Sequence, residues 1–283
     1  MSDAHKTSTV HRDPRFPSGQ GACSACDDNA VPVLPGAEPF RYDGGPVGVL
    51  LCHGFTGSPQ SMHPWGEHLA AAGLSVVCPR LPGHGTRWQE LNLTRWQDWY
   101  AEVERAFDDL SVRCDEVFVM GLSMGGTLSL RLAEKRPDDV SGLVLVNPSV
   151  TSQNRAATLL PVLKWFVPSV KAIGDDIKKP GVTEGAYERT PLKAAASLGQ
   201  LWKVVCGDLS LITAPVLVYR SIDDHVVEPI STETVLAGVS SDDKEERLLR
   251  QSYHVATLDN DAPEIFEGSL AFVRSHARAA SES

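Results

Sequence analysis

The sequence lacks an excess of positive charge: 26 Lys and Arg stand against 36 Asp and Glu in 283 residues, a formal net charge of −10. Proteins that bind nucleic acid or anionic membranes mainly through charge concentrate Lys and Arg. No such concentration occurs in this sequence. We therefore expect neither nucleic acid nor an integral membrane contact among its partners.

Long apolar runs are also absent. A transmembrane helix needs about 20 consecutive apolar residues, and no stretch of the sequence approaches that length. Residues 1–6 contain no apolar segment typical of a signal peptide. These features predict a cytoplasmic protein.

Cysteine is scarce, with six residues, and in the predicted compartment these are expected to be mostly free thiols. Cys52 and Cys78 end apolar strand-like runs, which predicts that both lie in the core. A chain of this length that is 42% hydrophobic can bury a core that needs neither disulfides nor a metal.

Residues 1–30 are rich in Ser, Asp, Gly, Pro and His without apolar periodicity, which predicts a disordered tail. The tail contains one Cys-x-x-Cys pair, Cys23 and Cys26. A zinc site needs four ligands, and His5 and His11 would complete the set. One pair is a weak signal, so incidental cysteines are the favoured interpretation and a zinc site is the alternative.

After the tail, strand-like apolar segments alternate with helix-like segments. This alternation predicts right-handed βαβ crossovers and a mainly parallel sheet flanked by helices. The predicted strands are residues 38–42, 47–52, 74–79, 117–120, 142–147, 215–220 and 246–249, and the predicted helices are 62–72, 94–110, 127–136, 191–205 and 262–278.

Residues 150–212 interrupt the alternation. We interpret them as a small helical cap inserted into an α/β core of residues 31–149 and 213–283. Its apolar cluster includes Trp165 and Phe166 and would form an acyl pocket over the site. A homodimer contact is an alternative interpretation, and a membrane-surface patch is a weaker one because basic residues are sparse.

A Gly-x-Ser-x-Gly motif at residues 121–125 lies between a strand-like run and a helix-like run, the context of a nucleophile elbow. The glycines give room for Ser123 in a strained backbone conformation. The turn places its hydroxyl at a helix N-terminus, which favours developing negative charge. The bare motif occurs by chance in about one chain of this length in ten, so an ordinary glycine-rich turn is the alternative.

A serine nucleophile needs a base, and histidine is suitable because its pKa is near neutral. His254 follows the last short strand. An orienting carboxylate is also needed, and Asp223 and Asp224 follow the strand before it. The carboxyl ends of parallel strands meet at one edge of a sheet, so these groups are predicted to lie near Ser123.

A glycine-punctuated loop at residues 53–57 follows a buried strand directly. Its position predicts that the backbone N–H groups of Phe55 and Met124 form an oxyanion hole. Phe55 and Met124 are also expected to contact the substrate, together with Trp165 and Phe166.

Two further histidines lie in loops of the same edge. His53 is interpreted as a structural brace of its loop rather than a proton carrier. His84 lies between two glycines in residues 82–85, and we expect it to shape the wall of the site.

Taken together, the stretches 53–57, 82–85, 121–126, 224–229 and 254–259 resemble those of serine carboxylesterases of the α/β-hydrolase fold. The resemblance is closest to small bacterial carboxylesterases and monoacylglycerol lipases, and extends from about residue 38 to 278. It implies a mainly parallel central sheet with a small helical cap.

The resemblance implies Ser123 as nucleophile, His254 as base and an aspartate as its orienting acid. Both Asp223 and Asp224 fit the family pattern relative to the loop valines. The Glu228-Pro229 pair that follows favours Asp224.

The implied reaction cleaves carboxylic esters, either short- to medium-chain acyl esters or monoacylglycerols, through an acyl-enzyme on Ser123. No metal or organic cofactor is implied. An acyl-CoA thioesterase is the alternative enzyme, and a non-catalytic binding protein is a third. The thioesterase would need a basic mouth, for which the cap offers Lys164, Lys171, Lys178 and Lys179.

Overall fold

A computed structural model of the chain describes residues 31–153, 163–172 and 174–277. The predicted tail and its alternative zinc site lie outside the described residues. The strands are β1 (Phe40–Tyr42), β2 (Val47–Cys52), β3 (Ser75–Cys78), β4 (Glu116–Leu122), β5 (Val140–Val146), β6 (Ser169–Lys171), β7 (Arg189–Pro191), β8 (Val216–Ser221) and β9 (Lys244–Leu249). The helices are α1 (His63–Ala71), α2 (Trp88–Leu91), α3 (Trp96–Ser111), α4 (Met124–Lys135), α5 (Leu192–Asp208), α6 (Ile230–Gly238) and α7 (Ala262–His276).

Within the described residues, seven strands form one sheet in the order β1-β3-β2-β4-β5-β8-β9. Every neighbouring pair is parallel except β1 and β3. The predicted mainly parallel sheet is therefore confirmed. The predicted strands and helices are found within three residues at each end, whereas α2, α6, β6 and β7 were not predicted.

The core lies on both faces of this sheet, as the alternation along β4 shows. Val117 and Val119 pack into one apolar cluster with α3, α4 and α5, and Phe118 and Met120 pack into another with α1 and α7. A strand buried on both faces reads as a continuous apolar run, which is typical of parallel sheets. The predicted core residues Cys52 and Cys78 are confirmed as fully buried free thiols.

The edge strand β1 pairs with β3 rather than with its sequence neighbour β2. The turn between β1 and β2 is held against the start of β3, because Gly44 N–H donates to Ser75 Oγ and Gly45 N–H donates to the Gly73 carbonyl at 2.7 Å. A Cβ on Gly44 would lie 2.4 Å from the Leu74 carbonyl oxygen. Only a glycine permits this approach. The turn can therefore cross the start of β3, which lies between β1 and β2 in the sheet.

The stretch between β5 and β8 departs from the strand–helix alternation, as expected. Strands β6 and β7 form a separate antiparallel pair. Helix α5 buries Leu198, Leu201 and Val205 in the same cluster as α3 and α4. Part of this stretch thus shares the core of the main sheet.

The turn between β4 and α4 holds Ser123 at φ 56°, a left-handed conformation that is rare for a residue with a side chain. The two motif glycines allow it. A Cβ on Gly121 would lie 2.3 Å from the carbonyl carbon of Gly125, and a Cβ on Gly125 would lie 1.9 Å from the Cys52 carbonyl oxygen. Ser123 N–H donates to the Val146 carbonyl at 2.9 Å and ties the turn to β5.

We predict that Gly125→Ala destabilises the protein by more than about 3 kcal/mol, because its methyl group would overlap backbone that cannot move independently of β2. Gly207→Ala is the matched control, since a Cβ there meets nothing within 4 Å in helix α5. Alanine is expected to stabilise that position by about 0.5–1 kcal/mol. Urea unfolding followed by circular dichroism measures both, and equal stabilities of the two variants would contradict the close contact at Gly125.

Candidate active site

Ser123 lies at the carboxyl end of β4, immediately before the first residue of α4, Met124. The N–H groups in the first turn of a helix have no intrahelical acceptors. The helix dipole adds partial positive charge at the same point. The local structure therefore offers the Met124 N–H and a favourable field to an anion next to Ser123.

His254 follows β9 and contacts Asp224, which follows β8. His254 Nδ1 lies 2.8 Å from Asp224 Oδ2. The other oxygen, Oδ1, accepts the backbone N–H groups of Val226 and Val227, each at 2.8 Å. With Nδ1–H donating to the carboxylate, His254 Nε2 is left as the acceptor nitrogen.

Burial and charge act in opposite directions on this pair. Burial lowers the pKa of His254, but the charges of Asp224, Glu184 and Asp176 and the hydrogen bond to Asp224 outweigh it, and the net pKa is raised above 6.5. Burial raises the pKa of Asp224, but His254 and the two backbone donors outweigh it and the net pKa is lowered. Asp224 is therefore a carboxylate that orients and stabilises a protonated His254.

The structure distinguishes the two aspartates that the sequence left open. Asp224 has a side chain only 4% exposed and contacts His254. Asp223 is 52% exposed and lies 3.5 Å from the ammonium of Lys178. Asp224 is thus the aspartate that contacts His254, and it is the one that the Glu228-Pro229 spacing favoured.

The loop at residues 53–57 lies against the serine turn. A Cβ on Gly54 would be 3.6 Å from the Ser123 Cβ, so the two loops are in contact at that point. Thr56 has φ 64° and its hydroxyl donates to the Phe55 carbonyl at 2.6 Å. The fold therefore places the loop that carries Phe55 next to Ser123.

His53 braces this loop, as the sequence predicted. Its Nδ1–H donates to the Gly54 carbonyl at 3.0 Å, and its Nε2 accepts the Leu81 N–H at 3.2 Å. Burial lowers its pKa to about 4. His53 therefore stays neutral and connects the loop to the chain after β3.

His84 differs from the expectation that it shapes the wall of the site. Its ring is fully buried and lies edge-on to Trp99, 5.7 Å away, and to Phe55, 6.3 Å away. Gly83 and Gly85 have φ 78° and 67°, and this conformation turns the histidine into the core. His84 therefore packs against Phe55 within the core and does not line the cavity beside Ser123.

A cavity of about 1000 Å³ opens at this edge of the sheet and contains both Ser123 and His254 in its lining. Its walls come from the loops after β2 and β8, from the stretch after β5 and from α5. The lining includes Gly54, Phe55, Leu122, Val150, Val170, Ala195, Leu198, Trp202, Val226 and Val227.

Of the four residues predicted to contact the substrate, Phe55 lines the cavity, whereas the side chains of Met124, Trp165 and Phe166 do not. Trp165 and Phe166 do not line the cavity and are 72% and 81% exposed. The spacing of an apolar cluster does not fix which way a short turn faces, and here the rings point outward. The Met124 side chain is fully buried in the core, because the helix turns it away from the cavity and leaves only its backbone for the substrate.

The predicted basic mouth is only partly present. Lys164 and Lys171 line the cavity, and so does Lys203, which was not predicted. Lys178 and Lys179 do not line it, and their backbone N–H groups donate to Asp259 instead.

Sequence reasoning missed two carboxylates of the cavity wall, Asp176 and Glu184. Burial raises the pKa of Glu184 to about 7. It also missed Asn147, whose φ is 45° and whose amide donates to the His254 carbonyl at 2.8 Å. These residues belong to no motif, and a polar residue at the end of a predicted buried strand was the only signal for Asn147.

No group of three or more His, Cys, Asp or Glu suited to a metal ion occurs among the described residues. In the same part of the chain, no helix has the length and apolarity that crossing a membrane would require.

We predict that the acidic limb of kcat/KM against pH has its midpoint above 6.5, because protonated His254 cannot accept a proton and its pKa is raised. Asp224→Asn should move this limb to lower pH and reduce kcat by about 10⁴-fold. The matched control, Asp223→Asn, should retain kcat. Initial rates from pH 4 to 9 test this, and a loss of activity confined to Asp223→Asn would contradict the assignment.

Comparisons with known proteins agree with this geometry. The family model described as Serine aminopeptidase, S33 matches residues 47–261. The chain is 47% identical over 248 residues to the thermostable monoacylglycerol lipase of Bacillus sp. (strain H-257), a match that covers 87% of this chain and 98% of that lipase. It is 27% identical over 237 residues to a carboxylesterase of Bacillus subtilis (strain 168), which covers 83% of this chain and 96% of that esterase.

A solved structure described in a study of LipS and LipT, two metagenome-derived lipolytic enzymes, matches with a TM-score of 0.84 and 42% identity, covering 87% of this chain and 100% of that one. The monoacylglycerol lipase of Paleococcus ferrophilus shares the fold, with a TM-score of 0.71 and 20% identity over 85% of this chain and 100% of that chain. The sheet, the strained serine and the family match lead to one conclusion: the chain belongs to the Hydrolase_4 family of α/β-hydrolases, the family described as Serine aminopeptidase, S33.

Proposed function

We propose that this protein is a serine hydrolase that cleaves carboxylic esters, with monoacylglycerols among its substrates. The observation that carries the proposal is the Nδ1–Oδ2 contact of His254 and Asp224 in the cavity that also holds the strained Ser123. The 47% identity to a monoacylglycerol lipase supports the substrate class.

In the proposed reaction, Ser123 Oγ attacks the ester carbonyl while His254 Nε2 takes its proton. Asp224 stabilises the imidazolium that forms. The backbone N–H groups of Phe55 and Met124 donate to the developing oxyanion, and each such donor is worth about 2.7–4 kcal/mol in the transition state. His254 then protonates the leaving alcohol, and a water molecule activated by the same histidine releases the acid from Ser123.

We further propose that residues 150–212 act as a cap that covers the acyl chain. The apolar lining residues Val150, Val170, Leu198 and Trp202 support this role. Their surfaces can exclude water from a hydrocarbon chain, and burial of each methylene contributes about 0.8 kcal/mol.

The alcohol part of the substrate needs polar partners, and Glu184 provides one polar group in the cavity wall. Glu184 lines the cavity, is nearly fully buried and lies close enough to raise the pKa of His254. A carboxylate accepts hydrogen bonds from hydroxyl groups. We propose that this end of the cavity accommodates the free hydroxyls of glycerol or a similar alcohol.

An acyl-CoA thioesterase is the second candidate, and the three lysines of the cavity lining favour it. Lys164, Lys171 and Lys203 could contact the phosphates of such a substrate. Ester and thioester cleavage would use the same serine, so only the substrate series separates them. The homodimer and the cytoplasmic location stay predictions from the sequence.

We predict hydrolysis of p-nitrophenyl esters and of monoacylglycerols, with an optimum at short to medium acyl length and no turnover by Ser123→Ala. The assay compares acyl groups from acetate to palmitate, with matched acyl-CoA substrates. Thioester turnover faster than ester turnover at every length would favour the second candidate. Undiminished activity of Ser123→Ala would contradict both.

A further inference from the structure

Asp176 contacts the loops of both members of the His254–Asp224 pair, although it lies in the separate stretch between β6 and β7. Its Oδ2 accepts the backbone N–H of His254 at 3.1 Å and that of His225 at 3.3 Å. Its Oδ1 lies 2.8 Å from His225 Nδ1. His225 is the neighbour of Asp224, so one carboxylate is bonded to both loops.

The backbone of Asp176 adds another bond to the same loop, since its carbonyl accepts the Val255 N–H at 3.1 Å. The side chain is only 11% exposed. A hydrogen bond from a backbone N–H group is stronger when its acceptor is a carboxylate. Asp176 thereby limits the movement of His254 relative to Asp224.

The segment that carries Asp176 is itself fixed on both sides. The Asp175 carboxylate accepts the N–H of Glu184 at 2.7 Å and the hydroxyl of Thr183. On the other side, the buried Asp259 accepts the N–H groups of Lys178 and Lys179, at 2.6 and 2.9 Å. These bonds fix the position of Asp176 beside the His254 loop.

Asp259 completes this connection, because its Oδ2 also accepts the N–H of Tyr253, the residue before His254. The backbone after the histidine is therefore bonded to the 176–179 segment directly, and the backbone before it is connected to that segment through the Asp259 carboxylate. The His254 N–H and the Asp176 carboxylate that accepts it are 78 positions apart in sequence.

We propose that Asp176 is a positioning residue for the serine hydrolase reaction, which aligns the His254 and Asp224 loops and places a further negative charge beside the imidazolium. This inference rests on the proposed function of the same site. Three carboxylates act on His254, namely Asp224 from the loop after β8 and Asp176 and Glu184 from the stretch between β6 and β7, and all of them favour its protonated form.

Asp176→Asn tests the proposal, because the amide removes the charge and cannot accept with both of its polar atoms. A misplacement of about 1 Å can cost about 100-fold, so kcat for p-nitrophenyl butyrate should fall between about 10- and 100-fold with little change in KM. The acidic limb of kcat/KM should move to lower pH, since His254 loses one of the charges that favour its protonation. Rates are expressed per mole of folded enzyme, measured by circular dichroism.

The control is Glu188→Gln, which removes an exposed carboxylate from the same stretch of chain and should leave kcat and the acidic limb unchanged. Asp176→Glu keeps the charge but displaces it by one methylene. It should keep the acidic limb near that of the wild type and still lower kcat, and it serves as the test if Asp176→Asn does not fold.

The proposal is overturned if folded Asp176→Asn keeps both kcat and the acidic limb of the wild type, even if its melting temperature falls. It is also overturned if Asp176→Glu has the kcat of the wild type. Failure of the wild-type protein to hydrolyse any ester is a different outcome, which rejects the proposed function itself.

Discussion

The contact between Gly125 and the Cys52 carbonyl is the constraint on which the site depends. No side chain fits between the first turn of α4 and the end of β2, because a Cβ on Gly125 would lie 1.9 Å from that oxygen. In the same turn, Ser123 has a left-handed conformation at φ 56°, which the glycines on either side of it allow. The close approach sets the helix N-terminus beside the loop that carries Phe55, so one backbone contact positions both the hydroxyl and the N–H donors.

The electrostatics of the site follow from burial. A buried histidine ordinarily loses basicity, as His53 does with a pKa of about 4. His254 is also buried, yet Asp224, Glu184 and Asp176 raise its pKa. The same residue type is thus a neutral brace in the loop after β2 and, in the proposed reaction, the proton acceptor in the loop after β9, and nearby carboxylates make the difference.

The sequence was sufficient for the main strands and helices, because apolar runs and glycine spacing are local signals. It was also sufficient for placing Ser123 and His254 at one edge of the sheet, because the carboxyl ends of parallel strands meet there. Within the family resemblance, the spacing to Glu228-Pro229 favoured Asp224, and the contact with His254 distinguishes it from Asp223. Asp176 and Glu184 could not be predicted, since the fold brings them near His254 from distant parts of the chain and no sequence pattern marks them. The exposure of Trp165 and Phe166 could not be predicted, because an apolar cluster does not reveal which side of a short turn faces solvent.

The most direct measurement is covalent labelling with diethyl p-nitrophenyl phosphate, followed by intact-mass and peptide mass spectrometry. The strained, His254-assisted Ser123 should take up one diethylphosphoryl group per chain, and the label should lie on the peptide that contains residue 123. Labelling should be slower below the pKa of His254, because the protonated imidazole cannot accept the serine proton. A folded protein that takes up no label, or that carries it on another residue, would contradict the central role of this serine.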